Sequence, residues 1–356
     1  MSAPEPPTPS RLREASLSLA ALVGSVALLA IVLEIALRLL GIDTPSRRHF
    51  DPGIYLPDAE LAWALVPDYR GAHVEYDGPV PTTTSRLGER GWRGPPWSDA
   101  RRAARHRVLA LGDSWTFGRG VPDDATWPAR LEAILRSRGH DVAIFNAGVP
   151  GYDSVQEEAV FAQLADALAP TLVIVAWLPN DVTERSVDAR KSLQVIDGQL
   201  VYDIEKYRAW KRQIEHGGID ASALYRFLRL RFKRLGGRNR SRWKINLDDE
   251  ALAYSQAPLA RIKQRADALA APLLVVLSPR EEEVAGTSPI EHHERMAVFV
   301  RAQGGELVDL ASSWRASGVR EGRFLPRDGV HLTESGCDEA AQAIAAHPLF
   351  AGWPTP

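Results

Sequence analysis

The chain begins with one long apolar block and then changes to short apolar runs separated by amphipathic stretches. Residues 17–33 carry no charge, and the apolar pattern continues to Leu40 around Glu34 and Arg38. As a helix, this block spans roughly 25 to 36 Å and brackets a hydrocarbon core of about 30 Å. It predicts a membrane span over 15–40, with Glu34 and Arg38 near an interface, where they pair or snorkel. A cleaved signal peptide is the rival reading, since Arg11 and Arg13 precede the block and Ser25-Val26-Ala27 offers small residues. That site lies inside the apolar run, and the run exceeds the usual length of a signal core, so an uncleaved anchor is favoured.

Beyond residue 105 the pattern alternates. Short apolar runs at 107–111, 142–146, 172–178, 272–277 and 306–310 read as strands, and amphipathic stretches at 127–138, 154–168, 257–270, 290–302 and 333–346 read as helices. Five such βα units predict an α/β fold, a flavodoxin-like doubly wound sheet of about five parallel strands covered on both faces. Residues 1–14 read as a disordered tail, with four prolines in the first ten positions. Residues 41–104 are rich in Pro, Gly and Arg, with Tyr55, Trp63, Tyr69, Trp92 and Trp97 spaced along them. They read as a lead-in that packs irregularly on a domain of residues 105–348, with a turn-rich packing stretch at 88–94.

Residues 182–250 are too long for an ordinary connection and predict a helical insertion. Leu224, Phe227, Leu228, Phe232 and Leu235 suggest an apolar stripe, and 226–244 carries nine Lys or Arg and no acid. The stretch suits either a solvated basic face or contact with anionic lipid. The net charge of −2 and the lack of any nucleic-acid module argue against a nucleic-acid partner. Cys337 is the single cysteine, which excludes an intramolecular disulfide and a cysteine-based metal cluster.

Chemistry gathers at the ends of the predicted strands. Gly112-Asp113-Ser114 ends the first, Asn146-Ala147-Gly148-Val149-Pro150-Gly151 follows the second, and Leu178-Pro179-Asn180-Asp181 follows the third. Asp328-Gly329-Val330-His331 precedes the last helix. In open α/β sheets, ligands bind beyond the carboxyl ends of the strands, so these segments face one crevice. A serine hydroxyl attacks well only when an imidazole takes its proton and a carboxylate orients that imidazole. Ser114, His331 and Asp328 supply the three groups. The Ser114 and Gly151 N–H groups and the Asn180 carboxamide could receive a developing oxyanion. Asp113 and Asp181 read as structural, bonding loop amides. Trp115, Phe117, Tyr152 and Trp177 lie near these motifs as candidates for substrate contact, with core packing the commoner use of such rings. His292-His293 and Glu281-Glu282-Glu283 could suggest a metal, but neighbouring side chains are expected to diverge, so neither metal nor cofactor is expected.

None of these motifs is specific alone, but their order resembles the SGNH/GDSL hydrolase superfamily over about 105–348. The resemblance implies Ser114 as nucleophile, Gly151 and Asn180 completing the oxyanion hole, His331 as base then acid, and Asp328 orienting it. The family's third block commonly reads Gly-x-Asn-Asp, and Leu178-Pro179 before Asn180 departs from it, which puts the pocket wall in question. The apolar block, the aromatic lead-in and the wording of 146–151 look like a membrane-anchored bacterial subgroup. That resemblance implies a single-pass protein of the inner membrane with its catalytic domain on the extracytoplasmic side. The expected activity is a serine esterase removing short acyl groups, acetyl among them, from a cell-envelope glycan or lipid. An O-acyltransferase with the same triad, or a silent envelope-binding scaffold, would share most of these features.

Overall fold

A computed structural model of the chain describes residues 9–40, 53–75, 78–182, 194–196, 198–201, 204, 205, 207–209, 222–225, 227, 228, 231, 247–318, 322–326 and 328–353. The chain divides into two compact units, Met1–Asp51 with Ile204–Gly237, and Pro52–Asp203 with Arg238–Pro356.

In the first unit, α1 (Pro9–Leu39) contains a stretch Ser16–Leu39 with a mean hydropathy of 2.5, long and apolar enough to cross a membrane. Glu34 and Arg38 pair at 2.6 Å, one helical turn apart. The same carboxylate accepts the Ser222 O–H at 2.8 Å and the N–H groups of Ala223 and Leu224 at 3.0 and 2.8 Å. These are the amides that open a helical turn and have no partner within it. Most of the basic stretch 226–244 and residues 1–8 of the tail expected over 1–14 lie outside the described residues, whereas residues 9–14 are not a disordered tail but the first turns of α1.

The second unit is built on strands β1 (Tyr55–Asp58), β2 (Ala62–Leu65), β3 (Arg70–Glu75), β4 (Gly78–Leu87), β5 (Arg90–Arg93), β6 (His106–Gly112), β7 (Val142–Asn146), β8 (Leu172–Trp177), β9 (Gln194–Ile196), β10 (Gln199–Val201), β11 (Leu273–Leu277) and β12 (Glu306–Asp309). Its principal helices are α2 (Asp99–Arg102), α3 (Ser114–Phe117), α4 (Trp127–Ser137), α5 (Ser154–Leu168), α6 (Asp249–Ala268), α7 (Glu281–Val284), α8 (Glu291–Ala302), α9 (Leu310–Ala316), α10 (Glu334–Ala345) and α11 (Pro348–Ala351). The parallel strands run β7-β6-β8-β11-β12, which is the 2-1-3-4-5 order of a flavodoxin-like sheet. Alternate residues serve opposite faces. Val108 and Ala110 join a core with Leu131, Leu135, Ala340 and Ile344, whereas Leu109 and Leu111 join one with Phe161, Leu164, Leu259 and Ile262. Burial on both faces explains why these strands are continuous apolar runs.

The lead-in is not irregular. β5 pairs antiparallel with β7 through Arg93 and Asn146, and β2 and β1 extend the sheet outward. Runs of four residues interrupted by Pro and Gly are too short to show a period, yet pairing with an exposed edge strand stabilises them. The stacked Trp92 and Trp97, with Phe145 edge-on to Trp97, close the seam.

Two helical expectations also change. The helix placed at 257–270 starts earlier, because Asp248 caps it by accepting the Ala251 N–H and because Leu252 and Ser255 are buried. Pro258 is tolerated inside it. The insertion, expected to be helical, opens among its described residues with a hairpin of β9 and β10, where Gly198 at φ +71° makes the turn, and is helical at 204, 205, 207–209, 223–225, 227, 228 and 231. The Gly198 carbonyl accepts the Tyr55 N–H at 3.1 Å, tying the hairpin to the lead-in.

Candidate active site

Ser114 opens α3 directly after β6. Gly112 at φ +148° turns the chain, and a Cβ there would strike the Thr116 hydroxyl. Asp113 caps the helix, its Oδ1 accepting the Trp115 N–H at 2.8 Å. The Ser114 N–H therefore stands at a helix N-terminus, where partial positive charge favours an anion.

His331 Nε2 lies 2.7 Å from Ser114 Oγ, and His331 Nδ1 lies 2.9 Å from Asp328 Oδ2. A carboxylate can only accept, so Nδ1 carries the proton and Nε2 presents its lone pair to the serine hydroxyl. Asp113 Oδ2, at 3.3 Å from the same hydroxyl, is the longer and weaker alternative. Asp328 is held by the Val330 and His331 N–H groups, each donating to Oδ1 at 2.9 Å. Burial alone raises its carboxyl, but the His331 hydrogen bond and charge, with these amides, outweigh it and hold the pKa at about 2. The loop is fastened from outside by the Glu281 N–H, which donates to the Gly329 carbonyl at 2.7 Å.

Gly151 has φ +85°, and neither its N–H nor that of Ser114 is taken by another group among the described residues. Asn180 sits in a short 3₁₀ turn after β8, and its carboxamide nitrogen donates to Asp113 Oδ2 at 2.9 Å. Asp113 thus ties the third block to the Ser114 turn. Asp181 Oδ2 accepts the Leu178 N–H at 2.7 Å, so both acids bond loop groups as expected, and the Leu178-Pro179 departure leaves Asn180 beside the serine turn.

Asn146 also contributes. Its Nδ2 donates to the Thr116 carbonyl at 2.9 Å, and its Oδ1 accepts the Gly148 N–H at 3.0 Å, bridging the second block to α3. Gly148 permits this approach, since a Cβ there would collide with the Phe117 amide nitrogen.

The rings named for substrate contact are placed otherwise. Trp115, Phe117, Tyr152 and Trp177 are 2, 0, 1 and 0 % exposed. Trp177 Nε1 donates to Ser255 Oγ at 2.7 Å, Tyr152 O–H to the Trp63 carbonyl at 2.6 Å, and Phe117 lies under the Arg93 guanidinium. They pack behind the site, because both faces of the sheet must be covered where the motifs emerge.

Two features escaped the sequence reading. Arg93, with a side chain 1 % exposed, donates to the carbonyls of Phe117, Gly118 and Val121 at 2.6–2.9 Å and to Asp123 at 2.9 Å, so it holds the end of α3. A lone arginine in a turn-rich stretch gave no sign of this. Behind Asp113 lie the buried carboxyls of Asp153, Glu157 and Asp181. Burial first, then their mutual charge, raises Glu157 and Asp181 well above the carboxylate range.

His292 and His293 do not diverge. Their Nε2 atoms, at the start of α8, lie 2.8 and 3.4 Å from the two oxygens of Glu283, which α7 places between them. Arg280 donates to the same carboxylate from Nη2 and from its backbone, each at 2.7 Å. Burial tends to raise Glu283, but the imidazoles and Arg280 hold it well below its usual range. A guanidinium already on this carboxylate would oppose a metal cation there, and the group reads as an ion-pair cluster.

A family model described as GDSL-like lipase/acylhydrolase matches residues 110–338. An arylesterase of Vibrio mimicus is 33% identical over 78 residues, and the matched stretch spans 22% of this chain and 39% of that protein. Among solved structures, a lipase/acylhydrolase from Enterococcus faecalis is similar at a TM-score of 0.43 and 12% identity, covering 70% of this chain and 98% of its own. TesA is similar at a TM-score of 0.42 and 17% identity, covering 67% and 96%. The family match takes in all five residues singled out for chemistry, from Ser114 to His331. This chain belongs to the GDSL-like lipase/acylhydrolase family.

Proposed function

We propose that the protein is a membrane-anchored serine esterase that removes short acyl groups, acetyl foremost, from a glycan or lipid of the bacterial cell envelope. The observation that carries this reading is the Asp328–His331–Ser114 relay, with contacts of 2.9 and 2.7 Å. Ser114 Oγ attacks the acyl carbon as its proton passes to His331 Nε2, and Asp328 stabilises the imidazolium. The carbonyl oxygen becomes an oxyanion held by the Ser114 and Gly151 N–H groups and the Asn180 carboxamide. The intermediate collapses, the ester C–O bond breaks, and His331 returns the proton to the leaving alcohol. Water then attacks the acyl-enzyme with His331 again as base, releasing the acid and the free serine. The low exposure of Ser114 and His331, 8 and 4 %, suits a small acyl group.

The anchor reading rests on the apolar stretch Ser16–Leu39 and the Glu34–Arg38 pair at one end of it. The catalytic unit would lie on the extracytoplasmic side of the inner membrane, with the basic stretch 226–244 drawn to anionic lipid. Full-length protein in detergent micelles is expected to release acetate from an activated acetyl ester and from acetylated polysaccharide. Equal rates for wild type and Ser114→Ala would refute the assignment. Transfer of a labelled acetyl group to glycan with no free acetate would replace hydrolysis by acyl transfer.

A further inference from the structure

The lead-in strands reach the site at Gly151. Trp63, in β2 and 1 % exposed, donates its indole N–H to the Pro150 carbonyl at 3.1 Å. Its ring edge lies 3.2 Å from where a Cβ on Gly151 would stand. The backbone of Trp63 is fixed in return, since the Tyr152 O–H donates to its carbonyl at 2.6 Å and the two rings pack at 5.6 Å. Both neighbours of Gly151 are therefore tied to one tryptophan.

The Pro150 carbonyl and the Gly151 N–H are the two ends of a single peptide unit. That unit is trans, so its C=O and N–H point in opposite directions. Residues 149–152 form a turn closed by the Tyr152 N–H on the Val149 carbonyl, with proline second and a positive-φ glycine third, the pattern of a type II turn. Type I and type II turns differ by a flip of this central peptide, which would reverse the Gly151 N–H. A donor on the carbonyl side opposes the flip, and it also polarises the amide, making its N–H a stronger donor.

We propose that Trp63 is a positioning residue for the reaction, orienting and polarising the Pro150–Gly151 peptide so that the Gly151 N–H meets the developing oxyanion. This rests on the reading of Gly151 as an oxyanion donor. The lead-in thereby becomes part of the catalytic machinery.

The test uses full-length protein in detergent micelles and the variants Trp63→Phe, which keeps an aromatic ring but removes the donor, and Tyr152→Phe. Active sites are first titrated to the endpoint with a fluorophosphonate, whose phosphonyl oxygen occupies the same hole. Per titrated site, Trp63→Phe is expected to lower kcat on an acetyl ester by on the order of tenfold. This lies between losing one neutral hydrogen bond and the hundredfold or more of losing an oxyanion donor outright. KM should stay within about twofold, and the rate of phosphonylation should fall in step with kcat. Tyr152→Phe should show a smaller loss of the same kind, and the double variant should lose less than the product of the two. Rates per site within twofold of wild type, or a loss confined to the number of titratable sites, would overturn the proposal. Because phosphonylation needs an activated serine and a formed hole but no particular ester, wild type that labels without hydrolysing esters would overturn the esterase reading while the comparison of labelling rates still judges Trp63.

Discussion

Ser114 and His331 stand 217 positions apart in the chain, yet hydroxyl oxygen and imidazole nitrogen meet at 2.7 Å. β6 delivers the serine and the loop before α10 delivers the histidine, so the pair exists only in the folded sheet. Ser114→Ala and His331→Ala should each lower kcat by about 10⁴-fold or more, and the double variant should be little worse than either, since the two act as a unit. Initial rates on an activated acetyl ester check this. Independent, multiplying losses would mean that the two side chains do not share one step.

Asp328 accepts two backbone amides as well as the imidazole. Asp328→Asn retains the shape but can present an N–H to Nδ1, which favours the wrong tautomer, and kcat should drop on the order of 10³- to 10⁴-fold with KM nearly constant. The carboxyl is also a stability element. Its folded pKa of about 2 lies below the unfolded value of about 3.9, so its contribution is present above the latter and is lost as pH falls through about 2. Acid unfolding followed by tryptophan fluorescence should begin at higher pH when Asp328 is wild type than in Asp328→Asn, once the neutral-pH stabilities are normalised.

Asn180 is held against Asp113 at 2.9 Å. Asn180→Ala should cost about a hundredfold to a thousandfold in kcat. Asn180→Asp should cost more, because a carboxylate would face both Asp113 and the oxyanion. If the two variants hydrolyse alike, charge at this position is irrelevant to the transition state.

Gly148 brings the second block against the backbone of α3. Gly148→Ala forces a methyl group onto Phe117 N, and overpacking of this kind costs about 1–3 kcal/mol. The thermal midpoint should fall and phosphonylation of Ser114 should slow together. Unchanged melting would show that α3 can shift without cost.

Glu157 and Asp181 titrate well above the carboxylate range because they are buried beside other acids. In such a case the folded protein keeps a proton that the unfolded chain releases, so stability falls as pH rises above the unfolded value of about 4 until the folded groups ionise. Glu157→Gln, which resembles the protonated acid, should flatten the decline in thermal midpoint between weakly acidic and alkaline pH. Parallel midpoint curves for both proteins would exclude Glu157 as the source.

The five parallel strands were legible because burial on both faces leaves uninterrupted apolar runs, and the meeting of Ser114, His331 and Asp328 was legible because each lies in a short contiguous motif. The lead-in was not. β1, β2 and β5 hold four residues each, and their order comes from partners distant in sequence, Trp63 of β2 with Pro150 and Arg93 of β5 with the end of α3. The convergence of His292 and His293 was missed for a similar reason, since adjacent side chains diverge only when nothing lies between them to share, and Glu283 does.

Cys337 is 1 % exposed in α10, and burial pushes its thiol up to about 12. A protonated sulfhydryl without solvent access is a poor target for alkylating agents. The folded protein is in effect a cysteine-free background, and a single cysteine introduced on α1 or at the rim of the crevice can carry a spin label or fluorophore at one known position without first engineering the native thiol away.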